Sequence, residues 1–276
     1  MPRSDFPEAW DDLSDTGTAR DRVAGTDDVI GRIHSVETLG ALDGPGLRYV
    51  LFLQGCPFRC SYCHNPDTWA PHGGREVSAA EQFSEMIRYK NYLSGGVTVS
   101  GGEPLLQAEF VRALLSKCRA AGIHTAIDTS GGLPIEGRES AIHEADLILL
   151  DIKSFDRKKA LEMCALDTDH AWGLLDFCEK QGIPVWIRHV LLPGATVFDK
   201  KEDGTGITDR ESFLAYNEGL VAGICRLKGY SCVSKIELLP FHKMGEHKWA
   251  ELGFPYSLGE AEEPGEQIVR WCTELL

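Results

Sequence analysis

From Val29 onward, short β-branched apolar runs alternate with helical repeats, the signature of a parallel α/β arrangement. Ile30 to Glu37 reads as a leading strand, and Arg48-Tyr-Val-Leu-Phe-Leu as a buried one. A helix near Ser78 to Lys90 precedes the strand Val97-Thr-Val, and another covers about Gln107 to Ala121. In the latter, Phe110, Leu114 and Cys118 form one row and Val111 and Leu115 the next, which makes one apolar face. Thr125-Ala-Ile, Leu147-Ile-Leu-Leu, Val185-Trp-Ile and Ile236-Glu-Leu-Leu supply four further strands. Their helices fall near Asp156 to Met163, His170 to Gln181 and Asp209 to Lys228, with a last one over Glu266 to Leu275. Six core strand–helix units are too few to close an eight-stranded barrel. The pattern therefore predicts an open, partial (β/α)6 barrel over residues 29–276.

Two stretches fall outside this rhythm. Residues 1–28 are rich in Asp, Gly, Ser and Thr and are expected to form a mobile acidic N-terminal extension. Pro193 to Thr208 is polar, contains glycine and reads as a loop.

Composition narrows the function. A net charge of -14 argues against nucleic acid as a partner, because phosphates would be repelled over most of the surface. No run approaches the length of a membrane helix, and the first residues lack a secretory pattern, so the expected location is cytoplasmic. In that compartment nine cysteines are not a disulfide framework. Three of them, Cys56, Cys60 and Cys63, crowd into one loop with C-x3-C-x2-C spacing. Cys118, Cys178 and Cys225 fall on apolar helix faces and read as buried thiols, while Cys164, Cys232 and Cys272 show no partner.

In parallel α/β barrels chemistry sits at the carboxyl ends of the strands. Each predicted strand delivers polar or metal-binding residues there. They are the cysteine loop, Gly101-Gly102-Glu103, Asp128-Thr129, Asp151-Ile152-Lys153, Arg188 and His242. Three thiolates suit an iron–sulfur cluster and leave one iron of a four-iron cube open. The competing reading is structural zinc with His64 as fourth ligand, in a non-catalytic interaction protein. Gly101-Gly102 also fits a simple turn, and Asp43 fits equally a cap of the Gly44-Pro45-Gly46 turn.

The cysteine loop followed by Gly-Gly-Glu after the next strand resembles the radical S-adenosylmethionine (SAM) superfamily. Longer stretches, IGRIHSVETLGALDGPGLRYVLFLQGC, YCHNPDTWAPHGG, GIHTAIDT, VWIRHVLLPG and KIELLPFHKMGEHKW, resemble its glycyl-radical activases, those of pyruvate formate-lyase above all. The likeness runs over roughly residues 29–255 with a gap at 195–232. It implies a [4Fe-4S] cluster on Cys56, Cys60 and Cys63, reductive cleavage of SAM, and abstraction of hydrogen from a backbone glycine of the partner. It further implies SAM contacts at Tyr62, Gly102, Glu103, Asp151, Ile152, Lys153 and His242. Asp128, Thr129 and Asp151 would hold a monovalent cation (Na+ or K+). Asp43 and Arg188, with His242, would stand at the substrate's glycine loop. The implied partners are pyruvate formate-lyase or a related glycyl radical enzyme, and reduced flavodoxin as electron donor. A basic patch of Lys153, Arg157, Lys158 and Lys159 is the expected docking point for that donor, although such a run is also an ordinary solvated helix face.

Overall fold

A computed structural model describes residues 29–276; the expected N-terminal extension lies outside them. Two compact units emerge. One gathers 29–59, 65–129 and 135–148; the other gathers 60–64, 130–134 and 149–276.

In the first unit, β1 (Ile30–Gly40) pairs antiparallel with β2 (Arg48–Leu53) and with β3 (Arg75–Ser78). The helix α1 (Ala79–Met86) starts where Ser78 and Glu81 close a reciprocal capping box, and it tightens into a 3-10 turn over Ile87–Tyr92. β4 (Gly96–Gly101) then joins β2 in parallel. Next comes α2 (Ala108–Ala120), which buries Phe110, Val111, Leu114, Leu115 and Cys118, the face that its periodicity predicts. Each of its four large apolar side chains contributes about 1.5–3 kcal/mol by leaving water. β5 (Thr125–Thr129) adds to β4 in parallel, followed by the short helix α3 (Glu139–His143). The division passes through β6 (Leu147–Asp151), whose first two residues belong to the first unit.

The second unit continues with α4 (Arg157–Cys164), α5 (Thr168–Gln181) and β7 (Val185–Leu191). The helix expected over 209–228 is two helices, α6 (Arg210–Tyr216) and α7 (Glu218–Leu227). Asn217 divides them. Its side chain accepts from Phe198 N at 2.7 Å and donates to Phe198 O and Phe213 O, binding the preceding loop to the joint. β8 (Val233–Pro240) lies parallel to β7 with Arg188 opposite Glu237. The unit ends with α8 (Glu246–Glu251) and α9 (Glu266–Thr273). Although 193–208 reads as a loop, its Val197 and Ile207 enter a core with Phe213, Leu220, Ile224, Ile268 and Trp271.

The class is α/β, as expected. β3, α3 and α8 are additions; each is six residues or fewer, too short for periodicity to register. Among the cysteines, Cys118 and Cys178 are buried, and burial pushes both up to about 12. Cys225 is a correction. It faces solvent because the buried row of α7 runs through Leu220, Gly223, Ile224 and Leu227. No helix among the described residues is long and apolar enough to cross a membrane.

Candidate active site

The parallel strands β2, β4 and β5 align their carboxyl ends along one edge of the first unit. β2 runs into Gln54-Gly55-Cys56, and the turn after the cysteine loop clamps this stretch. Gly55 N donates to Thr68 O at 2.7 Å and Cys56 N to Trp69 O at 3.1 Å, while Gln54 Nε2 reaches Asp67 O and Ala70 O. Arg59 donates to Cys56 O at 2.8 Å and stacks 5.0 Å over Trp69. At the end of β4, Gly101 has φ +118°, which favours glycine. A Cβ on Gly102 would stand 2.2 Å from Gly55 O and 3.1 Å from Cys56 Cβ. The Gly102 backbone thus rests directly on the cysteine loop. Its N–H donates to Leu53 O at 2.9 Å, so what it can offer an amino group is its carbonyl.

Glu103 is fully buried, and its Oε1 accepts from Thr129 Oγ1 at 2.7 Å and Leu105 N at 3.1 Å. Asp128 Oδ2 accepts from Ser100 Oγ at 2.8 Å. The Asp43 carbonyl accepts from Thr98 Oγ1 at 2.6 Å.

In the second unit, Ser61 N donates to Met163 O at 2.8 Å, which draws the chain after Cys60 against the end of α4. The Cys164 thiol there lies within hydrogen-bonding reach of Cys60, and burial foremost holds its pKa well above the ordinary thiol range. Lys153 Nζ sits 2.6 Å from Asp151 Oδ2 and 5.3 Å above the Tyr62 ring. Burial by itself lowers the Lys153 pKa, but Asp151 and then Tyr62 outweigh it and hold the ammonium well above its usual value. Burial pushes Tyr62 up, and Cys164 adds to the effect. Ile152 is locked by its backbone: its N–H donates to Arg188 O at 2.9 Å and its carbonyl accepts from His189 Nδ1 at 2.6 Å. Cys63 is held by Trp249, whose Nε1 donates to Cys63 O at 2.8 Å. Gly245 packs so closely that a Cβ would meet His64 Cα at 2.6 Å. The His64 ring stacks on His242 at 4.4 Å and turns its Nε2 to the His242 carbonyl at 3.3 Å.

Among the described residues, four buried side-chain polar atoms have no hydrogen-bond partner: Tyr62 Oη, Asp151 Oδ1, His189 Nε2 and His242 Nδ1. Three of these belong to residues that the sequence singles out. Orphaned buried groups are rare, and each calls for a partner such as a water, an ion or a ligand.

Other expectations change. Arg188 is not past its strand but in the middle of β7, where Nε pairs with Glu237 at 3.4 Å and Glu237 in turn holds Lys235 at 2.6 Å. The basic patch does not form as expected. Lys153 faces Asp151, Lys159 donates to Ala195 O and lies over Phe198, and Arg157 is tied to Asp167 and Asp169. Of the four, Lys158 is the most exposed, at 86% with a long pairing to Glu162, and Arg157 is also exposed but held by its two carboxylates. No group of three or more His, Cys, Asp or Glu side chains among the described residues gathers closely enough for a single metal ion. Trp249, Gly245, Cys164 and Arg48 escape the sequence reading. A tryptophan and a glycine inside HKMGEHKW, and a charge opening an otherwise apolar strand, were the available signals.

Residues 42–162 match the family model of a 4Fe-4S single cluster domain. The pyruvate formate-lyase-activating enzyme of Listeria monocytogenes is 40% identical over 258 residues, 90% of this chain and 97% of that one. Its Staphylococcus epidermidis counterpart is 42% identical over 253 residues, 87% and 92% of the two chains. Among solved structures, Streptococcus suis SuiB bound to S-adenosylmethionine aligns with a TM-score of 0.51 at 14% identity, covering 79% of this chain and 44% of that one. At that identity the likeness concerns the fold alone.

Proposed function

This chain belongs to the family of pyruvate formate-lyase-activating enzymes, and from that premise we propose that it converts one backbone glycine of pyruvate formate-lyase into a glycyl radical. The observation that carries the proposal is the set of unpartnered buried atoms on Tyr62, Asp151 and His242, an incomplete polar lining that a zwitterionic, hydroxyl-bearing ligand such as SAM completes.

The residues fit the cofactors that this reaction requires. Cys56, Cys60 and Cys63 supply three thiolates to a [4Fe-4S] cluster, and Gly102 presents backbone where a side chain would collide with the loop. When bound, the cluster and SAM supply one-electron reductive cleavage and the hydrogen abstraction that follows. The protein's own part is to bind, orient and exclude water. Tyr62, Gly102, Glu103, Asp151, Ile152, Lys153 and His242 form the SAM site in this proposal. The carbonyl of Gly102 would be available to the SAM amino group, and the Lys153 ammonium, kept charged by Asp151, would be available to its carboxylate. Asp128, Thr129 and Asp151 provide hard oxygen donors for a monovalent cation. Asp43 and Arg188 hold the substrate's glycine loop in this proposal, with the Glu237 carboxylate paired to Arg188. Residues 29–276 act as the catalytic domain in the cytoplasm, with reduced flavodoxin as electron donor.

Anaerobic reconstitution with iron and sulfide, followed by mixing with pyruvate formate-lyase, SAM and reductant, tests the assignment. The expected result is a brown protein and a glycine-centred EPR doublet. SAM cleavage without the doublet would refute the partner, and a colourless protein would refute the cluster.

A further inference from the structure

Arg48 opens β2 immediately after the Asp43-Gly44-Pro45-Gly46 turn and is fully buried. A guanidinium has five N–H donors, and here all five are engaged. Nε donates to Thr98 Oγ1 at 2.6 Å. Nη1 donates to Pro45 O at 3.1 Å and also to Gly95 O. Nη2 donates to Val97 O and, at 3.2 Å, to His124 Nδ1. None of these acceptors is a carboxylate; Asp43 and Asp146 act on the charge only from a distance, and burial outweighs them. An apolar side chain would fill the same space with less penalty. What an apolar side chain cannot do is fasten the turn to the sheet.

Three contacts do that fastening. Arg48 holds Pro45 by its carbonyl, and it holds Thr98, whose hydroxyl in turn donates a hydrogen bond to Asp43 O at 2.6 Å. The turn is also seated sterically. A Cβ on Gly44 would press on Arg48 Cδ at 3.1 Å, and a Cβ on Gly95 would strike Pro45 O at 1.8 Å. Asp43 thus sits on a turn whose backbone is gripped from beneath at two carbonyls, and the Arg48 charge lies close enough to feel the Asp43 carboxylate.

We propose that Arg48, acting with Thr98, is a positioning residue that fixes Asp43 for recognition of the glycine-bearing loop of the protein substrate. This rests on the reading of Asp43 as a contact to that loop. Neither Arg48 nor Thr98 touches the substrate; both act through the turn.

The test uses the reconstituted holoenzyme and pyruvate formate-lyase, with the initial rate of glycyl radical formation read by EPR. Thr98→Val keeps the shape and removes the hydroxyl relay. Its expected effect is an approximately tenfold rise in KM for pyruvate formate-lyase with kcat changed less than about twofold. Arg48→Lys, which keeps the charge but loses the fork, raises KM further. Should Arg48→Lys fail to fold, Thr98→Val still decides the matter. In an Asp43→Asn background, Thr98→Val is expected to change KM by less than about twofold, because the group being positioned is already gone. Full additivity of the two substitutions, or a fall in kcat with KM unmoved, overturns the positioning role. An Asp43→Asn enzyme with unaltered KM overturns it differently, by removing the underlying reading of Asp43.

Discussion

Replacing Tyr62 with Phe provides a test in which stability and ligand affinity move in opposite directions. The Tyr62 hydroxyl is buried without a hydrogen-bond partner, whereas its ring packs under Lys153 at 5.3 Å. Phenylalanine keeps the ring and its contact with the ammonium and deletes only the orphaned oxygen. A buried unsatisfied hydroxyl costs about 1–3 kcal/mol, so the SAM-free variant should gain about 1 kcal/mol at the lower end of that range. For a chain of this size such a gain raises Tm by about 2–4 °C. Binding reverses the sign. If Tyr62 lines the SAM site as proposed, SAM satisfies the hydroxyl of the wild type and relieves the penalty; in the variant no penalty exists to relieve. That same penalty of about 1 kcal/mol corresponds to about fivefold weaker SAM binding. Differential scanning calorimetry of the anaerobically reconstituted protein, without and with SAM, measures the first effect, and equilibrium dialysis measures the second. A SAM-free Tm that falls, or a SAM affinity that does not change, would refute the reasoning, since either means that Oη is not an unsatisfied group waiting for the ligand.

Two further expectations come from other parts of the molecule. Gly102→Ala brings a methyl group within 2.2 Å of Gly55 O, a backbone atom that cannot swing aside. Overpacking of this kind costs about 1–3 kcal/mol. Iron bound per chain after reconstitution should fall by more than about half, and unchanged iron content together with unchanged Tm would show that the cysteine loop does not rest on Gly102. Glu179 accepts from Ser231 N, Ser231 Oγ and Cys232 N at the entrance to β8, and these hydrogen bonds pull its pKa down to about 2. A carboxylate depressed on folding stabilises above its ordinary pKa and loses that contribution as pH falls through the folded value. Acid titration followed by circular dichroism should therefore show wild type losing stability between about pH 4.5 and pH 2, a loss that Glu179→Gln lacks because it is already weaker at neutral pH. Identical acid profiles would mean that the bonds to Ser231 and Cys232 do not persist in solution.

The C-x3-C-x2-C spacing and the places of Gly101-Gly102, Asp128, Asp151 and His242 at or just past strand ends were legible in the chain. Cluster chemistry dictates residue type and spacing within a short loop, and strand periodicity then tells which residues stand at the strand ends. The rows of α2 and the strand Arg48–Leu53 were legible for the same reason, because burial of one face imposes a local repeat. Tertiary contacts decided the rest, since nothing nearby in sequence constrains them. Cys164 meets Cys60, Trp249 reaches across 186 positions to the Cys63 carbonyl, and Lys153 turns inward to Asp151 instead of joining a basic surface. Arg48 had to be seen with Thr98 and Gly95 before its charge made sense, because the acceptors that satisfy it come mostly from 47 to 76 residues away. Sequence specifies which groups the chemistry needs; the folded chain specifies which neighbours hold them still.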